Sequence, residues 1–249
     1  MRMEQLLPAD AVQKLDKALK DKGVQLSSEK VEKLLCYYSL LVERNKVMNL
    51  TAITELDEVI SKHFADSLSA LSFPETAEIF QEKGVKIMDL GTGAGFPGIP
   101  LAIALPEASV TLADSLQKRT KFLEDVKAEL KLDNVYVING RAEDLGKVTE
   151  YRERYDVVVS RAVADLRVLC EYCLPFVKEN GVFIAWKGAN APLEVGTANE
   201  AISVLGGEQP NLYEYTISGE KRALVAIKKT GVTPEKYPRR AGIPTKRPL

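Results

Sequence analysis

Asp89-Leu90-Gly91-Thr92-Gly93-Ala94-Gly95-Phe96-Pro97-Gly98, entered from the apolar Val85-Lys86-Ile87-Met88, is the stretch that decides the fold. It reads as a buried strand that breaks into a glycine-rich turn and then opens a helix at Pro97. Glycine is needed where the backbone takes positive φ or where a ligand approaches closer than a Cβ allows. Proline is favoured in a first helical turn, where its missing N–H costs nothing. Such a turn presents free N–H groups at a helix start above the sheet, so a nucleotide-type cofactor site is the leading reading.

The spacing alone fits two cofactors. Gly93-Ala-Gly95-Phe96-Pro97-Gly98 satisfies the dinucleotide pattern G-x-G-x-x-G, while Asp89-x-Gly91-x-Gly93-x-Gly95 resembles the D-x-G-x-G-x-G of class I S-adenosylmethionine (AdoMet) methyltransferases. Either pattern needs a βαβ context to carry weight. Ser109–Ala113 reads as the next strand and ends at Asp114, about 20 residues past the glycines, where an acid commonly holds ribose hydroxyls. Strands are expected at 85–89, 109–113, 134–139, 155–160 and 181–187. Helices lie between them, the clearest at 115–131 with Ser115 as cap and Leu116, Leu123, Val126 and Leu130 along one face. Alternating β and α segments predict a parallel sheet covered on both sides. Residues 211–218 and 222–228 flank Gly219-Glu220-Lys221 as an antiparallel hairpin. A dehydrogenase would keep its last strand parallel, so the hairpin favours AdoMet. The expected fold is α/β: a Rossmann-like class I methyltransferase with a mostly parallel seven-stranded sheet, a terminal antiparallel hairpin and an N-terminal helical extension.

That extension is expected over residues 1–72, the methyltransferase domain over 73–230 and a basic tail over 231–249. Val31, Leu34, Leu35, Tyr38, Leu41 and Val42 recur with helical spacing behind Ser27 or Ser28 as cap, a shorter helix carries Val12, Leu15 and Leu19, and 55–71 supplies a third. The 249 residues, 45% hydrophobic and 28% charged, describe a globular chain with a sizeable core. No apolar run reaches the roughly 18 residues of a membrane span, and the N-terminus lacks a signal-peptide core. Three cysteines make a disulfide framework a poor reading. A cytoplasmic location and a monomer are the default expectations. The net charge of −1 is unevenly spread: 228–249 holds Lys228, Lys229, Lys236, Arg239, Arg240, Lys246 and Arg247 against Glu235, or +6, leaving −7 for the rest. The tail reads either as a phosphate-binding arm or as a solvated end.

Ligands of doubly wound sheets sit at the carboxyl ends of the strands. Those ends carry Asp89 with Gly91 and Gly93, then Asp114, Gly140-Arg141-Ala142-Glu143, Ser160-Arg161-Ala162-Val163 and Trp186-Lys187-Gly188. The backbone of Ala142-Glu143 is placed to meet an adenine edge. Other chemistries fail on composition. The Asn/Asp-Pro-Pro-aromatic run of exocyclic-amine methylases is missing after the fourth strand. Cys170 and Cys173 fall inside a helix expected at 166–177, where a core role outweighs a nucleophilic, redox or metal one. His63, the only histidine, reads as a packing or hydrogen-bonding residue between the helical extension and the sheet rather than as a base.

Asn45-Lys46-Val47-Met48-Asn49-Leu50-Thr51, Lys62-His63-Phe64-Ala65-Asp66-Ser67, the Gly91–Pro97 turn, Asp114-Ser115-Leu116, Ser160-Arg161-Ala162-Val163 and Tyr237-Pro238-Arg239-Arg240 with Gly242-Ile243-Pro244 resemble the bacterial small-subunit ribosomal RNA methyltransferase G family, also called glucose-inhibited division protein B, over nearly the whole chain. The resemblance implies methyl transfer from AdoMet to N7 of a guanine in the 530 loop of 16S rRNA, in the free RNA or the small-subunit precursor. It carries cofactor contacts to Gly91, Phe96, Ala142, Glu143 and Arg161, with Asp114 as the ribose acid and Phe96 against the methionine or adenosine portion. Arg161 would serve catalysis, meeting either cofactor or target nucleotide. RNA binding would fall to Lys118, Arg119, Arg141, Lys187 and the tail residues Arg239 and Arg240. The alternative is a class I methyltransferase acting on another RNA position or on a small molecule.

Overall fold

The computed structural model describes residues 7–161 and 164–249; Ala162 and Val163 of the fourth-strand motif, and Met1–Leu6, lie outside the described residues. The helical extension comprises α1 (Ala11–Lys20), α2 (Ser28–Met48), and a continuous helical run of α3 (Leu56–Glu58), the π-helical Val59–Ala65, α4 (Asp66–Leu68) and the 3-10 turn Ser69–Leu71, followed by α5 (Pro74–Phe80). From there strands and helices alternate: β1 (Lys86–Leu90), α6 (Gly98–Ala104), β2 (Ser109–Asp114), α7 (Gln117–Leu130), β3 (Val135–Asn139), α8 (Ala142–Leu145), β4 (Tyr155–Arg161), α9 (Leu166–Cys173), β5 (Val177–Gly188), α10 (Ala191–Val204), β6 (Asn211–Ile217), β7 (Glu220–Lys228) and α11 (Ile243–Lys246).

The sheet order is β3-β2-β1-β4-β5-β7-β6, parallel throughout except for β7, which runs antiparallel to both β5 and β6. This is the expected architecture. The chain order reverses between β1 and β4, and an open α/β sheet binds its ligand at such a switch point. Central strands covered on both faces need continuous apolar runs rather than alternation. Ile87–Leu90 and Tyr155–Ser160 are accordingly buried throughout.

Two apolar layers enclose the sheet. One side packs α6 and α7 together with the N-terminal helices, so Leu15, Leu34, Tyr37, Leu41 and Phe64 share a core with Ile87, Leu112 and Val159. The other side packs α9 and α10 over Met88, Val158, Phe183 and Val225. Cys170 and Cys173 belong to this second layer, and burial pushes both thiols up, away from the reactive thiolate.

Several local expectations shift. In α1 it is Ala11, with Leu15 and Leu19, that is buried, and Val12 faces out. Neither Ser27 nor Ser115 caps with its side chain. Leu116 takes the N-cap position instead, exposed and outside the helix, and its N–H donates to the Asp114 carboxylate at 2.9 Å. The helix expected at 166–177 stops at Cys173, because Pro175 lies in a 3-10 turn that leads straight into β5.

Candidate functional site

The turn after β1 is shaped by backbone that only glycine adopts readily. Gly91, Gly93 and Gly95 have φ of +72°, +62° and +106°. Gly98 answers to closeness instead: a Cβ there would lie 2.2 Å from Leu112 Cδ2 and 2.7 Å from Asp89 Oδ2. Asp89 is fully buried, and its Oδ2 accepts from Thr92 Oγ1 at 2.6 Å and from Gly98 N at 2.7 Å. Burial raises its carboxyl to about 7, against those two hydrogen bonds and the Arg161 charge, which pull it down. Asp89 therefore braces the loop from within. The bend turns its carboxylate into the protein, away from the strand-end rim. Tyr37 supports the same loop from α2, donating its hydroxyl to Ala94 O.

A cavity of about 220 Å³ opens beside this turn, over the carboxyl ends of β1 to β4. Its lining includes Gly91, Asp114, Ser115, Arg141, Ala142, Glu143 and Tyr172. Asp114 is almost wholly buried and takes Leu116 N on one oxygen, with Gly93 N at 3.0 Å and Arg119 at 3.3 Å on the other. Donors so placed hold the carboxylate in one orientation at the cavity edge. Glu143 is also buried and accepts from Gly242 N at 3.1 Å. Tyr172, on α9, was not foreseen; helical spacing alone gives no sign that α9 reaches this wall.

A second cavity of about 300 Å³ lies at the ends of β4 and β5, lined by Lys62, His63, Asp66, Arg161, Trp186, Lys187 and Arg222 among others. Ser160 lines the first cavity and Arg161 the second, so consecutive residues of β4 separate them. Arg161 is the best-held side chain of the site. It donates to Asp66 Oδ2 at 3.0 Å, Lys62 O at 3.1 Å and His63 Nδ1 at 3.3 Å, and its guanidinium lies 5.1 Å from the centre of the Phe96 ring. Asp66 also accepts from Tyr215 at 2.7 Å, while its carbonyl takes Trp186 Nε1 at 2.8 Å. Nδ1 of His63 lies between the Arg161 guanidinium at 3.3 Å and Lys62 O at 3.2 Å, while Nε2 lies 3.1 Å from Thr51 Oγ1. Burial, helped by the Arg161 charge, lowers the His63 pKa to about 3, so the ring is neutral. Thr51 is in turn clasped by Asn45 through two backbone bonds of 2.9 Å. The scattered Asn45, Thr51, His63, Asp66 and Arg161 thus form one connected set.

Three further side chains are packed or paired within the protein. The Phe96 ring lies outside the lining of the first cavity, in a cluster with Tyr37, Phe64 and His63, the last stacked at 4.4 Å. Apolar burial outweighs exposure of a ring at the rim. Lys187 is nearly enclosed and pairs with Glu194 at 2.6 Å while donating to Ala164 O. Arg239 closes on the buried Glu171 of α9 with bonds of 2.5 to 3.0 Å. Both cations are committed within the protein, which a charge count cannot reveal. The tail is docked on the body of the protein: Tyr237 is buried, and Arg152 spans the carbonyls of Gly146, Thr233 and Tyr237. Lys118, Arg141 and Arg240 are exposed. Arg119 is half-buried against Asp114.

A sequence profile described as rRNA small subunit methyltransferase G matches residues 30–225. A protein of that name from Acetivibrio thermocellus is 48% identical over 229 residues, covering 91% of this chain and 92% of its own length. One from Leuconostoc citreum is 43% identical over 233 residues, covering 93% and 96%. The chain belongs to the rRNA small subunit methyltransferase G family. Among solved structures, a SAM-dependent O-methyltransferase from Thermotoga maritima superposes with a TM-score of 0.52 at 15% identity, covering 77% of this chain and 71% of its own, a likeness of fold alone. The family match takes in the glycine turn, Asp114, Glu143 and the Asp66–Arg161 pair. The docked tail lies beyond it, within a chain that the two family relatives match over more than nine-tenths of its length.

Proposed function

We propose that this member of the methyltransferase G family transfers a methyl group from AdoMet to N7 of a guanine in the 530 loop of 16S rRNA, acting in the cytoplasm. The observation that carries the reading is the pair of neighbouring cavities divided at Ser160 and Arg161, one suited to a nucleoside cofactor and one to an acceptor.

The first cavity fits AdoMet. Gly93 leaves open space where a side chain would stand, so a ligand can approach the backbone of the turn. Asp114 is held as a carboxylate acceptor for ribose hydroxyls, while Ala142, Leu90 and Leu169 offer apolar walls to a purine. Bound there, AdoMet would supply an electrophilic sulfonium methyl. Gly91, Gly93 and Asp114 would orient it, with Glu143 and Tyr172 closing the far side.

Guanine N7 carries an in-plane lone pair and needs no deprotonation before it attacks. His63, the only histidine of the sequence, is engaged at both ring nitrogens and held neutral, in keeping with a reaction that needs no base. The chain's task is then alignment and exclusion of water, and positioning of that kind is worth on the order of 7–11 kcal/mol. Arg161, fixed by Asp66, would face the acceptor base or its phosphate with its remaining donors. The target base must be exposed, as single-stranded loop bases are. Lys118, Arg119, Arg141 and Arg240 would meet backbone phosphates.

Incubation of the protein with small-subunit RNA and methyl-labelled AdoMet, followed by nucleoside analysis, tests the proposal. Label in 7-methylguanosine is expected. Label in a ribose-methylated or N-methylated adenine product instead would point to another acceptor.

A further inference from the structure

The tail touches the wall of the first cavity at two of its lining residues. Gly242 N donates to the Glu143 carboxylate at 3.1 Å, and Thr245 Oγ1 meets the Tyr172 hydroxyl at 3.0 Å. Both contacts are held by a single clamp. Arg239 gives its backbone N–H and its guanidinium to Glu171, which sits one residue before Tyr172 on α9 and is 1% exposed. The same guanidinium donates to Arg247 O at 2.8 Å, closing the tail into a loop around α11. Pro238 packs against Gly146, at the end of α8, so closely that a Cβ on Gly146 would lie 2.9 Å from it. The two short elements bearing Glu143 and Tyr172 are therefore tied to each other through the tail.

From this geometry we infer that residues 237–247 form the outer support of the cofactor cavity and that Arg239 is a positioning residue, acting through Glu171 to hold Glu143 and Tyr172 in place. This rests on the first cavity being the AdoMet site. Glu143 is on a helix of four residues, which has little rigidity of its own. Without the clamp, the Glu143 carboxylate loses the Gly242 N–H as a fixed partner, and Tyr172 loses the Thr245 hydroxyl beside its own. A binding wall whose side chains are free to rotate must be ordered at the ligand's expense. The outward residues of the same segment, Arg240, Lys246 and Arg247, are exposed, so the tail supports the cavity with one face and presents cations with the other.

Calorimetry of S-adenosylhomocysteine binding to the full chain tests this, alongside binding of a 530-loop oligonucleotide. Arg239→Lys keeps the charge opposite Glu171 but loses the planar fork. The paired change Glu171→Leu with Arg239→Met removes the clamp without stranding a buried charge. Loss of the hydrogen bonds that order the wall is expected to weaken S-adenosylhomocysteine binding about threefold in the first variant and about tenfold in the second, with cooperative unfolding retained. If the paired variant does not fold, Arg239→Lys alone carries the test. Cofactor affinity within about twofold of the starting protein in the folded variants, with only RNA binding reduced, would overturn the inference and leave the tail a phosphate-binding arm. Failure of the unmodified protein to bind the ligand at all would instead overturn the assignment of the cavity.

Discussion

Two buried groups near the site titrate in opposite senses, and the pH dependence of stability should expose them. Asp89 has its carboxyl raised from 3.8 to about 7 by burial, and His63 has its imidazole lowered from 6.5 to about 3 by burial and the Arg161 charge. Between pH 3.8 and 7 the folded chain binds the Asp89 proton more tightly than the unfolded chain does, so stability falls as pH rises. Between 3 and 6.5 the unfolded chain binds the His63 proton more tightly, so stability grows as pH rises. At about 1.4 kcal/mol per tenfold change in proton binding, the Asp89 gap is worth roughly 4 kcal/mol and the His63 gap roughly 5.

From about pH 4.5 to 6.5 the two slopes nearly cancel, each contributing roughly 3 kcal/mol. Asp89→Asn keeps an acceptor for Thr92 and Gly98 but abolishes the titration, leaving the His63 slope unopposed. Its stability relative to the starting protein should rise by roughly 3 kcal/mol across that interval. His63→Gln should show the mirror image, falling by a similar amount. Urea unfolding of the three proteins at several pH values in that range gives the comparison, and differences between them cancel the exposed carboxylates they share. Profiles that run parallel in all three proteins would refute the reasoning. They would mean that neither group holds the protonation state its surroundings impose.

Gly98→Ala forces a methyl against Leu112 and Asp89 at 2.2 and 2.7 Å. Overpacking of this kind costs about 1–3 kcal/mol, and each kcal/mol lowers the melting temperature of a chain this size by about 2–4 °C; an unchanged melting temperature would contradict the tight approach seen in the turn. Asp66→Asn keeps an acceptor for Tyr215 but takes the carboxylate from Arg161. Charge-assisted bonds are worth about 1.5–3 kcal/mol, so methyl transfer should slow by about 10- to 100-fold while S-adenosylhomocysteine affinity is retained; equal loss of both, or of neither, would show that Asp66 does not act through Arg161.

Local pattern carried the reading of the sheet far. The glycine turn, the acid closing β2 and the terminal hairpin each obey rules that span a few residues, and all three stand in the structure where they were expected. Asp114, Ala142 and Glu143 followed from the same rule, because a strand end fixes position along the sheet. It does not fix where a side chain points once the chain bends. Asp89 and Phe96 turned inward for that reason, the one to brace the turn and the other to join an aromatic cluster from α2 and the π-helical segment.

Long-range partners were illegible. Asp66 stands 95 residues from Arg161, and Glu171 stands 68 from Arg239. Charge counting treats Arg239 and Lys187 as available cations, whereas a carboxylate brought up by another helix consumes each of them. The family motifs held a hint of this. Asn45, Thr51, His63 and Asp66 fall in two separate motifs of the sequence, and the fold assembles them behind one arginine.

The central claim is the identity of the acceptor atom. Borohydride reduction and aniline cleavage of 16S rRNA, from cells with and without this protein, reports 7-methylguanosine nucleotide by nucleotide. One cleavage in the 530 loop should be present with the protein, vanish without it, and return in full with the intact chain but only in part with Asp66→Asn. A 530-loop cleavage that persists in cells lacking the protein would contradict the account.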